Sequence, residues 1–159
     1  MSKTRDASIK TDIDFDTDQL DQSSLQSLIG YQLRRADIAM RQAFTRDIVN
    51  TFNLRPVEFS VLALLRHNTQ VTHKRLSQAL DVAPSNMVAV VNRLKKEGLL
   101  TRARNPSDGR SIIFKLTAKG EARETQVRSA VEKMESAVFA RWDDKELEQL
   151  LKLLQRVRP

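Results

Sequence analysis

The sequence predicts a mainly α-helical fold with one small β-hairpin. Between residues 23 and 157, apolar residues recur mostly every three or four positions, as on the buried face of an amphipathic helix. Two short segments, 99–104 and 111–116, have the pattern of strands, and the turn sequence NPSDG lies between them. The 159 residues include four Gly, four Pro and no Cys, which suits one helix-rich domain and excludes disulfides and thiolate metal sites.

The N-terminal segment is predicted to be an acidic arm followed by a long helix. Residues 1–22 are polar, rich in Asp and without a sustained period, so we expect a flexible arm. Ser23 or Ser24 can cap a helix that continues through residue 53. Such a helix either spans the domain or packs against a second copy of the chain. Its apolar stripe consists of Leu25, Ile29, Leu33, Ala36, Met40, Phe44, Ile48 and Phe52.

Residues 54–117 carry the start and stop signals of three further helices and then the hairpin. Pro56, Thr72 and Pro84 suit the beginnings of helices, and Gly98 suits the end of the last one. The first of the three is apolar nearly all round, which predicts burial. The third directs one face toward the core, and that face contains Met87, Val90, Val91 and Leu94.

Residues 118–159 are predicted to form two more helices. Thr117 can cap the first, and Asp143 or Asp144 the second. Their apolar stripes either seal a monomer core or, as we expect, form a homodimer interface with the long N-terminal helix. The residues expected at that interface are Leu25, Ile29, Leu147, Leu150, Leu151 and Leu154.

Positive charge is concentrated in the hairpin and in the two helices before it, which a short turn joins into a helix-turn-helix. Residues 71–119 contain ten Lys and Arg against three Asp and Glu, an excess equal to the +7 of the whole chain. A helix-turn-helix followed by a basic hairpin, or wing, presents one helix to a DNA major groove and the wing to the backbone. A solvated basic surface is the alternative. The residues expected to contact double-stranded DNA are Lys74, Arg75, Ser77, Ser85, Asn86, Ala89, Arg93, Arg102 and Arg104, together with Asp108 and Arg110 in the wing.

Neither catalysis nor a resident cofactor is predicted. His67 and His73 are six residues apart, which is not a helical metal-binding spacing, and no phosphate-binding glycine loop or nucleophile elbow occurs. No segment has the length of a membrane span or the apolar core of a signal peptide, so the expected location is the cytoplasm.

The order of elements and four motifs resemble the MarR family of bacterial winged helix-turn-helix transcription regulators. The motifs are LRPVEFSVLALL (54–65), RLSQALDVAPSNMVAVVNRLKKEGLLTR (75–102), NPSDGRS (105–111) and LTAKG (116–120). The resemblance implies an interlocked homodimer whose two winged domains read a pseudo-palindromic operator. It also implies that Arg110 enters the minor groove, with Asp108 orienting it.

Three positions depart from the family pattern. Val88-Ala89 stand where the family commonly has Thr-Arg, Gly109 replaces the middle Arg of the wing, and Arg55 replaces a capping Thr. Base specificity should therefore rest on fewer polar contacts, with Asn86 a better reader than Ala89, although an alanine in the groove can meet a thymine methyl group.

The first long helix also carries a candidate effector site. Arginine forks bind carboxylate or phosphate, and here they lie beside an aromatic residue and the apolar stripe. Surface arginines, in solvent or paired with Asp37, are the alternative. The segment GYQLRRA resembles family members that sense aromatic acids or their coenzyme A thioesters. The residues expected to bind such an effector are Tyr31, Arg34, Arg35, Ile38, Arg41 and Phe59.

Three classes of function remain open from the sequence. The leading one is a homodimeric repressor of catabolic or efflux genes that a small aromatic or phenolic carboxylate, or its thioester, releases from the operator. The second is a ligand-independent architectural or low-specificity DNA-binding protein, favoured by the apolar Val88-Ala89. The third is a protein-interaction module that uses the helical stripes.

Overall fold

A computed structural model describes residues 21–104 and 111–157. The predictions for residues 1–20, Asp108, Gly109 and Arg110 lie outside the described residues. Contacts divide the chain into two compact units, one that ends at Arg35 and one that begins at Ala36.

The described residues are mainly helical, with one antiparallel hairpin, which confirms the predicted fold class. The elements are α1 (Ser23–Gln26), α2 (Ile29–Phe44), a π-helical turn (Thr45–Val49), α3 (Asn50–Phe52), α4 (Pro56–His67), α5 (His73–Leu80), α6 (Pro84–Lys96), β1 (Leu100–Arg104), β2 (Ile112–Leu116), α7 (Ala118–Val138) and α8 (Asp144–Arg156).

The prediction of one uninterrupted helix over residues 23–53 is wrong. The N-cap of α1 is Gln22, without a side-chain hydrogen bond, and not Ser23 or Ser24. The N–H of Leu28 donates to the carbonyl oxygen of Leu25 (3.0 Å), a tight turn that ends α1 after one turn. Farther along, the π-helical turn adds a residue to the helical repeat and contains Ile48, which is fully buried.

The start and stop signals of α4, α5 and α6 are confirmed. Thr72 caps α5 by accepting a hydrogen bond from the N–H of Arg75 (3.3 Å), and Pro56 and Pro84 open α4 and α6. Gly98 has a φ of +73°, the left-handed conformation that ends a helix. The core among these helices includes Val61, Leu62, Leu65, Leu76, Met87, Val91 and Leu94.

The hairpin is extended by a short third segment. Leu100 pairs with Leu116 and Arg104 with Ile112, while the N–H of Phe114 donates to the carbonyl oxygen of Val71 (2.9 Å). Ile113 and Phe114 are both buried, whereas Ile112 is exposed, so β2 lacks the simple alternation of the sequence pattern. The reason is that β2 contacts both α4 and α7.

The two C-terminal helices begin at the predicted caps. The Thr117 hydroxyl accepts from the N–H of Gly120 (3.0 Å), and Asp143 and Glu146 cap each other's backbone N–H groups (2.9 Å each). α7 contributes Val127 and Met134 to the core. By contrast, no residue of α8 is buried.

No single helix among the described residues is long and apolar enough to cross a membrane. One pair, Ile29–Phe52 and Pro56–His67, reaches that length and composition only when taken together across a bend. The apolar content of its second member is explained by the core, since Val61 and Leu62 are fully buried there.

Gly120→Ala is expected to destabilise the protein by about 1–3 kcal/mol, the usual cost of overpacking. A methyl group at this position would collide with the backbone carbonyl of Leu99, which cannot move away without disturbing β1. Chemical denaturation measures the free energy of unfolding. The matched control is Gly30→Ala, since a methyl group there has nothing within 4 Å and favours the helix. Equal stability of the two variants would contradict the prediction.

Candidate nucleic-acid interface

The first turns of α6 present an exposed face without charge. Met87, Val91 and Leu94 point into the core with exposures of 0–1%. The remaining positions up to Asn92 lie on the surface, apart from the half-buried Val90. The exposed side chains after Pro84 are those of Ser85, Asn86, Val88, Ala89 and Asn92. Polar amide and hydroxyl groups therefore share this face with two apolar side chains.

Exposed basic side chains lie on the elements that contact α6 and in the last turn of α6 itself, and together they form what we call its basic border. α5 and β1, which contact α6, and the last turn of α6 itself contribute exposed cations at Lys74, Arg75, Lys95, Lys96, Arg102 and Arg104. Arg75 is partly engaged, because its Nη1 donates to the carbonyl oxygens of Thr69 (3.4 Å) and Gln70 (3.1 Å). The arrangement separates a neutral helix face from a basic border.

The predicted outward orientation of Arg93 is wrong, because protein partners occupy all three of its guanidinium nitrogens. Nη1 pairs with Oε1 of Glu58 (3.0 Å), and Nε pairs with Oε1 of Glu97 (3.2 Å). Nη2 donates to the carbonyl oxygen (2.8 Å) and to Oδ1 (3.2 Å) of Asn53. Arg93 is therefore a structural tie between α6 and the junction of α3 and α4.

Glu58 is the buried centre of this network and was missed by the sequence analysis. Its side chain is 2% exposed, and Oε2 accepts from the N–H of Arg55 (2.7 Å) at the start of α4. This hydrogen bond caps the start of α4, where the Arg55 side chain has no acceptor atom to do so. A Glu three residues after a helix N-cap was the available signal, although its partner Arg93 is 35 positions away in the chain.

Ser77 is also corrected, since its side chain is buried at 8% exposure and cannot reach DNA from that position. It lies one turn after His73 on α5, and Ser77 Oγ and His73 Nδ1 have no hydrogen-bond partner among the described residues. The His73 ring packs edge-on against Phe114 (4.6 Å between centroids). Burial, and then the charge of Arg102, lower the pKa of His73 below its usual value of 6.5.

A separate cavity of about 300 Å³ lies between α2, α4 and α7. Its apolar wall includes Phe59, Met40 and Met134, and its charged groups are Asp37, Arg41 and Glu135. The other lining residues are Phe44, Pro56, Ser60 and Val131. Arg41 Nε pairs with Asp37 (2.8 Å). The cavity therefore combines an aromatic ring with a guanidinium that has one exposed carboxylate partner.

The guanidinium group of Arg128 on α7 lies over the ring of Phe59. Its guanidinium carbon lies 5.9 Å from the centre of the ring, and its Nη2 pairs with the buried carboxylate of Glu124 (2.6 Å). Phe59 is thus held by a cation that is itself fixed by a buried acid. Neither Arg128 nor Glu124 had a signal in the sequence beyond their helical spacing.

The predicted effector residues are distributed over more than one place. Phe59 and Arg41 meet in the cavity, while Ile38 lines a neighbouring depression with Arg41. Tyr31, Arg34 and Arg35 belong to the N-terminal unit, where Tyr31 donates to Gln22 and both arginines are exposed. Their part in effector binding stays a prediction.

An apolar groove of about 680 Å³ runs between the end of α7 and α8. Four predicted interface leucines line it, namely Leu147, Leu150, Leu151 and Leu154, with Phe139 and Trp142 beside them. Leu151 is 60% exposed, and in the N-terminal unit Leu25 and Ile29 are exposed as well. Within the described ranges, no group of three or more His, Asp and Glu side chains is placed to hold a metal ion.

The sequence is similar to a known family and to a known transcriptional regulatory protein. The MarR family model matches residues 54–112. A Thauera aromatica protein, described as the candidate transcriptional regulatory protein for the hcr operon, is 31% identical over 142 residues, covering 89% of this chain and 86% of that one.

Two solved structures extend the similarity to the fold. The transcriptional repressor CouR bound to a 23-mer DNA duplex aligns with a TM-score of 0.81 and 31% identity over 87% of this chain and 98% of that one. CouR from Rhodococcus jostii RHA1 bound to p-coumaroyl-CoA aligns with a TM-score of 0.75 and 26% identity over 84% and 93%.

The exposed helix with a basic border beside a two-stranded wing, together with these relatives, defines a winged-helix DNA-binding transcriptional regulator. The chain belongs to the MarR family. The resemblance seen in the motifs is thereby confirmed.

Arg93→Met is expected to destabilise the protein by about 3 kcal/mol, because it leaves the buried carboxylate of Glu58 without its counter-ion. The double variant Glu58→Gln/Arg93→Met should recover part of this loss, since no buried charge remains. The control is Lys152→Met, which breaks an exposed pair with Glu148 and should cost less than about 1 kcal/mol. Urea unfolding measures the free energy of unfolding. If Arg93→Met and Lys152→Met lowered it equally, Glu58 and Arg93 would not form a structural tie.

Proposed function

We propose that the protein is a homodimeric repressor that binds a pseudo-palindromic operator and leaves it when a small aromatic ligand binds. The regulated genes are catabolic or efflux genes, and the ligand is an aromatic or phenolic carboxylate or its coenzyme A thioester. The observation that supports recognition of DNA bases is the uncharged exposed face of α6 with its basic border. We call this face the reading face and α6 the reading helix.

The division of charge supports sequence-specific reading. Lysine and arginine on α5, β1 and the end of α6 suit phosphate contacts, which fix position but carry no sequence information. Asn86 and Ser85 offer donors and acceptors to base edges, and Asn86 can bind adenine through two hydrogen bonds. Arg102, Arg104 and, from the family pattern, Arg110 and Asp108 complete the proposed contact on the wing side.

A second copy of the chain is the proposed occupant of the α7–α8 groove. α8 has no buried residue, yet it presents a stripe of leucines, which in a monomer would remain in water. Covering such a stripe stabilises by roughly 25 cal/mol per Å² of apolar surface. Pairing two winged domains also gives the two reading helices that a pseudo-palindrome requires.

The cavity at Phe59 is the proposed effector site. An aromatic ligand can pack on Phe59 and Met134, and its carboxylate can replace Asp37 as the ionic partner of Arg41. In a thioester, the neutral carbonyl oxygen can instead accept a hydrogen bond from Arg41. The structure of a relative, CouR from Rhodococcus jostii RHA1, with p-coumaroyl-CoA supports this class of ligand. Arg34 and Arg35 stay predicted effector residues from the sequence, where their guanidinium groups suit the phosphates of a coenzyme A thioester.

The proposed route from effector to DNA is short. Phe59 faces the cavity, and the preceding residue on α4, Glu58, ties α4 to Arg93 on the reading helix. A ligand that displaces α4 therefore displaces α6, and it shifts the equilibrium only by its difference in affinity for the two positions.

The alternative is a low-specificity DNA-binding protein without an effector. Val88 and Ala89 favour it, since both stand on the reading face and neither can hydrogen-bond to a base through its side chain.

The full-length protein is expected to prefer its operator over random DNA by about 10³-fold or more, and p-coumaroyl-CoA or a related thioester should weaken operator binding roughly 5–150-fold. Fluorescence anisotropy measures both quantities on the promoter DNA beside the gene, with a random duplex as competitor. Free aromatic acids and coenzyme A, each added alone, show which part of the ligand weakens operator binding.

The Arg41→Ala variant should require a higher effector concentration for release, since it removes the cavity's guanidinium. Its control is Arg66→Ala, which breaks a pair with Glu121 outside both that cavity and the neighbouring depression. Equal, salt-sensitive binding to both duplexes, indifferent to every compound, would favour the low-specificity alternative.

Leu151→Glu is expected to convert a dimer of about twice 18.2 kDa into monomers, because it places a charge in the apolar groove. Operator affinity should then fall by about 10²–10⁴-fold, as two linked half-site contacts become one. Sedimentation equilibrium and anisotropy measure the two effects. Gln149→Glu, which adds the same charge outside the residues that line the groove, is the control. A monomeric wild-type protein would refute this interface.

A further inference from the structure

The reading face of α6 is unusual in a chain of which 30% is charged, since none of its exposed side chains from Ser85 to Asn92 is ionisable. Arg93, which follows Asn92 on α6, is held by Glu58, Glu97 and Asn53. Whatever meets this face therefore offers neutral polar and apolar groups. Base edges have that character, whereas phosphates do not.

Val88 is an apolar side chain that the protomer leaves exposed on this face. It is 43% exposed, while Met87 and Val91 on the same helix are 0% and 1% exposed. A β-branched residue lowers helix propensity, and in solvent it gains no burial in return. Its neighbours one turn away, Ser85 and Asn92, are exposed and polar, so Val88 is the larger of two apolar side chains on an otherwise polar surface.

The size of the apolar surface decides between two kinds of partner. One valine with a neighbouring alanine is far smaller than the contiguous apolar patch that marks a protein-docking site. The thymine C5-methyl group is the apolar group that base pairs present in the major groove, and it matches one side chain in size. Ala89, the next residue, adds no bulk to hold the helix away from the bases.

We infer that Val88 is a specificity-determining residue that packs against the C5-methyl group of one thymine in each operator half-site. This inference rests on the proposed function, because it requires α6 to enter the major groove. It assigns sequence information to a side chain that forms no hydrogen bond, so the operator must keep a thymine at that position.

Removing the methyl group alone tests the contact. The full-length protein selects duplexes from a random pool, and each thymine of the enriched sequence is then replaced by deoxyuridine, which lacks only the C5-methyl group. At one thymine in each half-site, a single replacement should weaken wild-type binding about fourfold, the equivalent of one buried methyl group.

Val88→Ala identifies the side chain responsible. This variant should bind the thymine duplex more weakly than the wild type does, and it should lose the sensitivity to deoxyuridine at that one position. Alanine favours the helix and Val88 is exposed, so the variant should keep its fold, which thermal unfolding checks. The control is Val138→Ala, a similarly exposed valine on α7 (39%), which should keep the fourfold sensitivity.

Two outcomes would overturn the inference and leave the proposed function intact. One is specific binding in which no thymine responds to deoxyuridine. The other is a Val88→Ala variant as sensitive as the wild type at every position. Failure to enrich any duplex from the pool would instead overturn the proposed function itself, and this inference with it.

Discussion

The buried carboxylate of Glu58 is the constraint on which the arrangement of α4 and α6 depends. An ionised carboxyl group away from water is unfavourable unless a counter-ion and hydrogen bonds compensate it. Here the guanidinium of Arg93 and the N–H of Arg55 do so. Because the same guanidinium also binds Asn53, one charge pair fixes the end of α3, the start of α4 and the end of α6 together.

The engagement of Arg93 also shapes the chemistry of the surface. With that guanidinium directed inward, the exposed part of α6 before its last turn carries no charge, and the cations lie on its borders. Under the proposed function, phosphate attraction and base reading then belong to different side chains. The first is long-ranged and salt-dependent, whereas the second needs contact with individual base edges.

The sequence predicted what local signals determine and missed what distant partners determine. Pro56, Thr72 and Pro84 mark helix starts through their own backbone chemistry, so α4, α5 and α6 were placed correctly. The inward direction of Arg93 depends on Glu58, 35 positions earlier, and helical spacing alone placed it on the surface. The predicted burial of α4 followed from its apolar residues on nearly every side. The cavity around Phe59 was not predicted, because its lining comes from three helices, and Arg128, which lies over the ring, comes from a helix far along the chain.

The position of Phe59 beside Glu58 on α4 bears on how a ligand could act at a distance. Phe59 is fixed on one side by Arg128, itself paired with buried Glu124, while Glu58 is fixed by Arg93. α4 is therefore held at adjacent residues by two arginines, one from α7 and one from α6. Packed interiors resist continuous deformation, so a ligand that separates Phe59 from Arg128 moves α4 as a body. Under the proposed function, the DNA-reading helix then moves with it, because its own tie to α4 is a buried charge pair that is costly to break.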